Sequence, residues 1–226
     1  MLSGACTFLA FVAWDRWPVI TVVAIWIGLS FLLLALAYFF RWPSLLGKRS
    51  TGGRWFWAWP IFAPYYLMAS LSFAMSRRSD PSAAYVRVGD RLYLGRLLDD
   101  DEAAAAVREL HWIATVDLSC EFPEAMPLRD RAYLSVPLLD ATAPTSDQLH
   151  QAVHWLIKQT ANGPAYVHCT LGHGRGATIA AAYLAVSGEA EDARQAVAMV
   201  KAARPQIKLH SSQWEAIQEI ARRSKS

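Results

Sequence analysis

The sequence predicts an α/β domain, with a central, mostly parallel sheet flanked by helices, preceded by apolar helices long enough to cross a membrane. Three observations carry that expectation. Two long uncharged stretches, Pro18 to Phe40 and Trp55 to Met75, stand at the front of the chain. From Asp80-Pro81 onward charges return regularly, and helix-length amphipathic segments alternate with short apolar runs, the pattern of a parallel sheet covered by helices. A glycine-bearing loop, Cys169 to Arg175, lies between an apolar run and a helix-forming run, and open α/β sheets hold their ligands at such carboxyl ends of strands.

The front of the chain explains why a protein of 226 residues is 54% hydrophobic and contains ten tryptophans. At about 1.5 Å rise per residue each uncharged stretch is long enough for a span, and Trp55, Trp57, Trp59, Tyr65 and Tyr66 rim the second as interface aromatics do. The expected organisation is a membrane region 1–76, with spans 18–40 and 55–75 and a short apolar segment 1–14, then a linker 77–84 and an α/β domain 85–226. Arg41, Lys48, Arg49 and Arg54 follow the first span with no acid among them, and Arg77-Arg78 follows the second. The positive-inside rule assigns both segments to the cytoplasm. Two full spans cannot do that, so Pro60 and Pro64 predict a second segment that is kinked, re-entrant or interfacial. Cys6, Cys120 and Cys169 form no disulfide framework, which suits a reducing compartment. The net charge of +3 does not indicate nucleic acid, because the cations cluster beside the apolar segments and in the tail, where anionic lipid headgroups are the nearer partner.

Within the domain, Asp99 to Leu110 opens on acids and continues in alanines, which predicts a helix. Ile113 to Leu118 reads as a buried strand and Tyr133 to Leu139 as strand-like. Thr145-x-x-Gln148 is a capping box, opening a helix whose apolar face is Leu149, Val153, Leu156 and Ile157. Asn162-Gly163-Pro164 stops it ahead of the strand before Cys169. Helices follow over Ala177–Val186, Glu189–Arg204 and Ser212–Arg223, the second stopped by Pro205.

The loop carries the chemistry. Arg175 stands six positions after Cys169, with Gly172 and Gly174 between them. A strand, a tight loop and a helix start aim several backbone N–H groups and the positive end of a helix dipole at one spot, which stabilises a dianion without a lysine. Arg175 adds a fork matching two phosphate oxygens. The same field favours a thiolate at Cys169. Walker-type loops need Gly-Lys-Ser/Thr, absent here.

His168-Cys169-x₅-Arg175 resembles the signature loop of the cysteine-dependent protein tyrosine phosphatase superfamily, and its surroundings resemble the small dual-specificity branch. Arg87 to Gly95 is similar to the opening strand pair of those domains, Trp112 to Ser119 to the next buried strand, Tyr133 to Asp140 to the segment leading into the acid loop, and Arg204-Pro205 to the end of a late helix. The resemblance spans about residues 85–222. It implies a phosphomonoesterase that needs no cofactor or metal. Thr170, Leu171, Gly172, His173, Gly174 and Arg175 would bind the phosphoryl group and Cys169 would attack it. Asp140, opening the loop Asp-Ala-Thr-Ala-Pro, would protonate the leaving oxygen; Asp147 is the runner-up, better suited to a first helical turn. Glu121 and Glu124 are candidates to line the cleft. His168 would hold the loop and tune the thiol. Gly176 stands where the family usually keeps a Ser or Thr hydroxyl for the leaving sulfur. That departure predicts a slow second step and leaves open a membrane-tethered phosphate-binding pseudophosphatase. His173 is either a basic group for extra substrate charge or a neutral, solvent-facing residue. His150 and His154 share i,i+4 spacing but lack a third ligand, so no metal site is expected. The substrate would be a phosphorylated protein or a phospholipid.

Overall fold

The computed structural model describes residues 18–224, so the apolar segment 1–14 lies outside the described residues. Helix α1 (Pro18–Phe39) is apolar on every face and, among the described residues, is the one helix long and apolar enough to cross a membrane. Helix α2 (Ala58–Ser79) covers the second expected span and is less apolar than α1. It has the length, but Ser70, Ser72, Ser76 and Arg77-Arg78 dilute its apolar character, and its inner face is occupied. Phe62, Tyr65 and Tyr66 are buried in a cluster with Leu46, Cys120 and Leu139, so the helix packs on the following domain. It continues past Pro64 and runs through Arg77 and Arg78 to Ser79, shortening the expected linker 77–84 from its front end. Between the two helices lie a 3-10 turn, Pro43–Leu46, and a tight hairpin closed by an antiparallel bridge between Lys48 and Arg54.

The domain holds strands β1 (Tyr85–Arg87), β2 (Leu92–Gly95), β3 (Ala114–Ser119), β4 (Ala132–Leu138) and β5 (Ala165–His168). Their order is β1-β2-β5-β3-β4, with β1 antiparallel and every other pairing parallel. β5 is central: Val167 pairs with Leu94 on one side and Val116 on the other, and all four of its residues are buried. Helices α3 (Asp100–Leu110) and α4 (Met126–Arg129) cover one face, where Trp112 stacks on Tyr166 with ring centroids 4.3 Å apart. The other face carries α5 (Ser146–Thr160), α6 (Arg175–Ser187), α7 (Ala193–Ala203) and α8 (Ser211–Arg223), which bury Leu149, Leu156, Ile179, Leu184, Val200 and Ile217 against Leu92, Leu94, Val116 and Val167. The expected capping box at Thr145 and Gln148 forms, and Asp99 with Glu102 makes a second. α7 begins four residues later than Glu189, because Gly188 ends α6 in a left-handed turn (φ 85°) and Asp192 caps the next helix by accepting from Gln195 N at 2.7 Å.

Candidate active site

The central strand delivers His168 and Cys169 to the sheet's carboxyl edge, and α6 starts at Arg175. The loop between them is held from outside by its own carbonyls. Thr170 O accepts from Leu97 N at 3.1 Å, Leu171 O from Arg204 Nη2 at 3.0 Å, and His173 O from Lys208 N at 3.0 Å. Gly174 O accepts from Thr178 N at 2.9 Å and Thr178 Oγ1 at 3.0 Å. A peptide unit whose C=O is engaged outside a tight loop directs its N–H inward, and Gly172 N does donate to Cys169 Sγ, at 3.2 Å. Gly172 is required at its position: its φ is +73°, and a Cβ there would lie 2.3 Å from Gly95 O. Cys169 sits at the floor, 3% exposed.

Arg175, 2% exposed, is aimed by three elements. Nη1 donates to Leu138 O at 2.8 Å, at the end of β4, and to Glu121 Oε2 at 3.1 Å, just beyond β3. Nη2 donates to Thr170 Oγ1 at 3.2 Å and lies 3.1 Å from Asp140 Oδ1. Nε is buried with no hydrogen-bond partner, a donor available to an oxyanion. Asp140 follows β4 on a turn where Ala141 is left-handed (φ +57°), and its side chain is 71% exposed. Asp147 lies exposed in the first turn of α5, away from these groups. Glu121 therefore lines the cleft by holding Arg175, whereas Glu124 lies beneath it.

Below the loop is a fully buried charged cluster. His168 Nε2 lies 2.5 Å from Glu124 Oε2 and its Nδ1 is 3.4 Å from Cys169 O. Burial works against the imidazolium, but the charge and hydrogen bond of Glu124, with the charge of Asp117, push His168 up to about 9. At neutral pH Nδ1–H then donates toward Cys169 O and positive charge lies under the thiol. Asp117 is buried too, yet the charges of Lys48 and His168 and the hydrogen bonds from Lys48 and Tyr133 bring it down to about 2. Among the described residues, Asp117, Glu124 and His168 are the three metal-ligating types gathered closely enough to hold a cation, and the Lys48 ammonium supplies one, 2.5 Å from Asp117 Oδ2. His150 and His154 stack with ring centroids 5.8 Å apart.

Lys48 alters the reading of the basic linker. Of the four cations expected to meet lipid headgroups, Lys48 and Arg54 are engaged by the catalytic domain. Lys48 Nζ donates to Phe122 O, Arg54 Nη2 donates to Glu121 O, and Gly52 O accepts from Glu124 N at 2.9 Å. The hairpin thus grips the main chain of Glu121–Glu124, whose side chains hold Arg175 and His168. Sequence reasoning missed Lys48, Arg54, Asp117 and Arg204; the one available signal was a charged residue, Asp117, inside an apolar strand.

Gly176 lies in the first turn of α6 without a positive φ, and a Cβ there would meet Leu94 Cδ1 at 2.9 Å and Cys169 N at 3.6 Å. Thr178, already bonded to Gly174 O, does not replace the missing hydroxyl. His173 lines the cleft mouth 3.1 Å from Asp80 Oδ2, and burial, followed by the charge of Arg204, lowers its pKa.

The family described as dual specificity phosphatase, catalytic domain, matches residues 92–223. No curated protein matches the chain. Among solved structures, PTPMT1 in complex with PI(5)P is 22% identical with a TM-score of 0.58, covering 63% of this chain and 97% of that one. The active form of Tk-PTP is 25% identical with a TM-score of 0.56, covering 62% and 97%. Human DUSP28 is 23% identical with a TM-score of 0.54, covering 64% and 97%.

Proposed function

Because the chain belongs to the dual-specificity phosphatase family, and is therefore a phosphatase, we propose that it is a membrane-anchored enzyme that hydrolyses phosphomonoesters through a phosphocysteine intermediate. The phosphoryl group sits on the inward amides of Thr170–Arg175 and on the Arg175 guanidinium. Cys169 Sγ attacks phosphorus, the S–P bond forming as the ester P–O bond breaks, and Asp140 gives its proton to the leaving oxygen. Asp140, now a carboxylate, takes a proton from water as that water attacks phosphorus, and the thiolate leaves. The observation that carries this reading is the loop itself: its carbonyls are engaged outside, Gly172 N donates to Cys169 Sγ, and Arg175 Nε is buried without a hydrogen-bond partner. The apolar faces of α1 support anchoring, and the cations after α1 and at the end of α2 support a cytoplasmic catalytic domain. Substrates are phosphorylated proteins or lipids of that membrane.

Cys169→Ser tests the mechanism. It should reduce turnover of p-nitrophenyl phosphate below about 1% of the parent, a loss of at least ~2.7 kcal/mol of transition-state stabilisation, while tungstate binding persists on the amides and Arg175. Retained turnover would remove Cys169 from the nucleophile's role. Turnover of the parent beyond one equivalent excludes a binding-only module.

A further inference from the structure

The cleft above Cys169 is not walled by the catalytic domain alone. Tyr38 of α1 and Tyr65, Ala69 and Phe73 of α2 line the same cavity of about 440 Å³ as Cys169 and Arg175. Phe73 meets Phe122 with ring centroids 5.5 Å apart, so α2 stands against the cleft as a fixed wall. A second groove, of about 510 Å³, runs along α2 past Pro64, Leu67, Leu71 and Met75. The two hollows share Met68, Ser72 and Ser76, so they adjoin along α2. Leu67, Leu71 and Met75 recur at every fourth position and are 63%, 58% and 68% exposed, an apolar stripe leading away from the phosphate site. Lys208 and His210 also line the cavity that holds Cys169 and Arg175.

The hollow therefore has a polar, anion-binding end and an apolar end joined by a few serines. A peptide crossing it would lay backbone N–H and C=O groups over the Leu67–Met75 stripe, where no side chain can pair with them. A hydrocarbon chain requires no such partner, and the adjoining α1 already places an apolar surface beside it. Resting on the phosphatase reading above, we infer that the substrate is a lipid phosphomonoester. Its phosphate lies on the Cys169–Arg175 loop, its polar linkage lies between Tyr38, Tyr65 and Lys208, and its acyl chains run along Leu67, Leu71 and Met75 of α2. The N-terminal helices are thus part of the substrate site as well as an anchor.

The test uses the full chain in detergent micelles and three phosphomonoesters measured on the same preparation: dibutyryl and dihexanoyl phosphatidic acid, both kept monomeric, and p-nitrophenyl phosphate. Lengthening the chains should raise kcat/KM by about ten-fold or more, from methylene burial in an open groove. Leu67→Gln combined with Leu71→Gln, both at exposed positions, should collapse that chain-length ratio toward one. Equal kcat/KM for the two lipids, or a phosphotyrosine peptide hydrolysed faster than either, would overturn the lipid assignment while leaving the phosphatase reading intact. Failure of p-nitrophenyl phosphate hydrolysis to depend on Cys169 would instead overturn that underlying reading.

Discussion

Lys48→Met removes the ammonium lying 2.5 Å from Asp117 Oδ2, a pair with both side chains fully buried. Deleting one partner of such a pair costs about 3–5 kcal/mol, because the other charge is left buried and uncompensated. Asp117 retains Tyr133 OH at 2.7 Å, Ser119 Oγ at 2.7 Å and Ser119 N at 2.9 Å, and protonated His168 is 3.9 Å away. Those contacts place the expectation at the lower end, about 3 kcal/mol. For a chain of this size that lowers the unfolding midpoint by roughly 6–12 °C. The assay is thermal unfolding of the full chain in detergent, followed by tryptophan fluorescence, for Lys48→Met, Asp117→Asn and the double variant. The double variant should lose less than the sum of the single losses, by about 1–3 kcal/mol, since it removes both charges together. Tungstate affinity should fall in Lys48→Met as well, because Phe122 O loses its donor and the Glu121–Glu124 segment loosens around Arg175. A midpoint within about 2 °C of the parent, with additive single and double variants, would refute the buried pair and the support it gives the loop.

Asp140→Ala should slow hydrolysis of alkyl phosphates by about 10²–10⁴-fold but p-nitrophenyl phosphate much less, since that leaving oxyanion needs little protonation; an equal loss for both would move the acid role to another group. His168 is raised from 6.5 to about 9, so its contribution to stability is complete below about 6.5 and disappears as pH rises through about 9. Asp117 is lowered from 3.8 to about 2, so its contribution is present above about 3.8 and is lost as pH falls toward 2. Unfolding midpoints measured against pH should therefore form a plateau between those limits, with the alkaline limb flattened in Glu124→Gln, and a midpoint that climbs between pH 6.5 and 9 would contradict the His168 assignment. Gly176→Ser should accelerate the steady phase after a burst by roughly ten- to a hundred-fold, the effect of one hydrogen bond to a charged sulfur. The backbone there tolerates a side chain and the nearest obstacle is the flexible tip of Leu94, so no burst in the parent would show that another group already assists the leaving sulfur.

The sheet and helices were legible because their signals are local. The Thr145 and Gln148 box, the Asn162-Gly163-Pro164 stop and the spacing of Cys169 to Arg175 each act within a few residues, and each sits where the sequence indicated. Hydropathy over Trp55–Met75 counts apolar residues without saying what covers them. Phe62, Tyr65 and Tyr66 are covered by the protein, and only the remaining face of α2 is open. The short helix α4 was not anticipated, as four residues starting beside Pro127 show no periodicity to read.

The linker shows most clearly why part of the site stayed hidden. Arg41, Lys48, Arg49 and Arg54 form one class by composition, and a charge rule treats them alike. Their surroundings separate them: Arg41 is exposed, Arg49 lies over Trp55, Arg54 lies over Tyr66 and donates to Glu121 O, and Lys48 is buried on Asp117. The partners of Lys48 and Arg54 lie far along the chain, so no local pattern distinguishes these two from lipid-facing cations. The readable half was Asp117, a carboxylate inside the apolar strand Ala114–Ser119, which requires a buried cation from somewhere. With Lys48 as that cation, contacts of the domain cross the composition change at 77–84. A chain cut there would keep Cys169 and Arg175 but leave Asp117 without its ammonium partner and the main chain of Glu121–Glu124 without the donors and acceptor that the hairpin supplies. The segment between α1 and α2 braces the main chain whose side chains hold Arg175 and His168, and so ties that geometry to the one described helix that is long and apolar enough to cross a membrane.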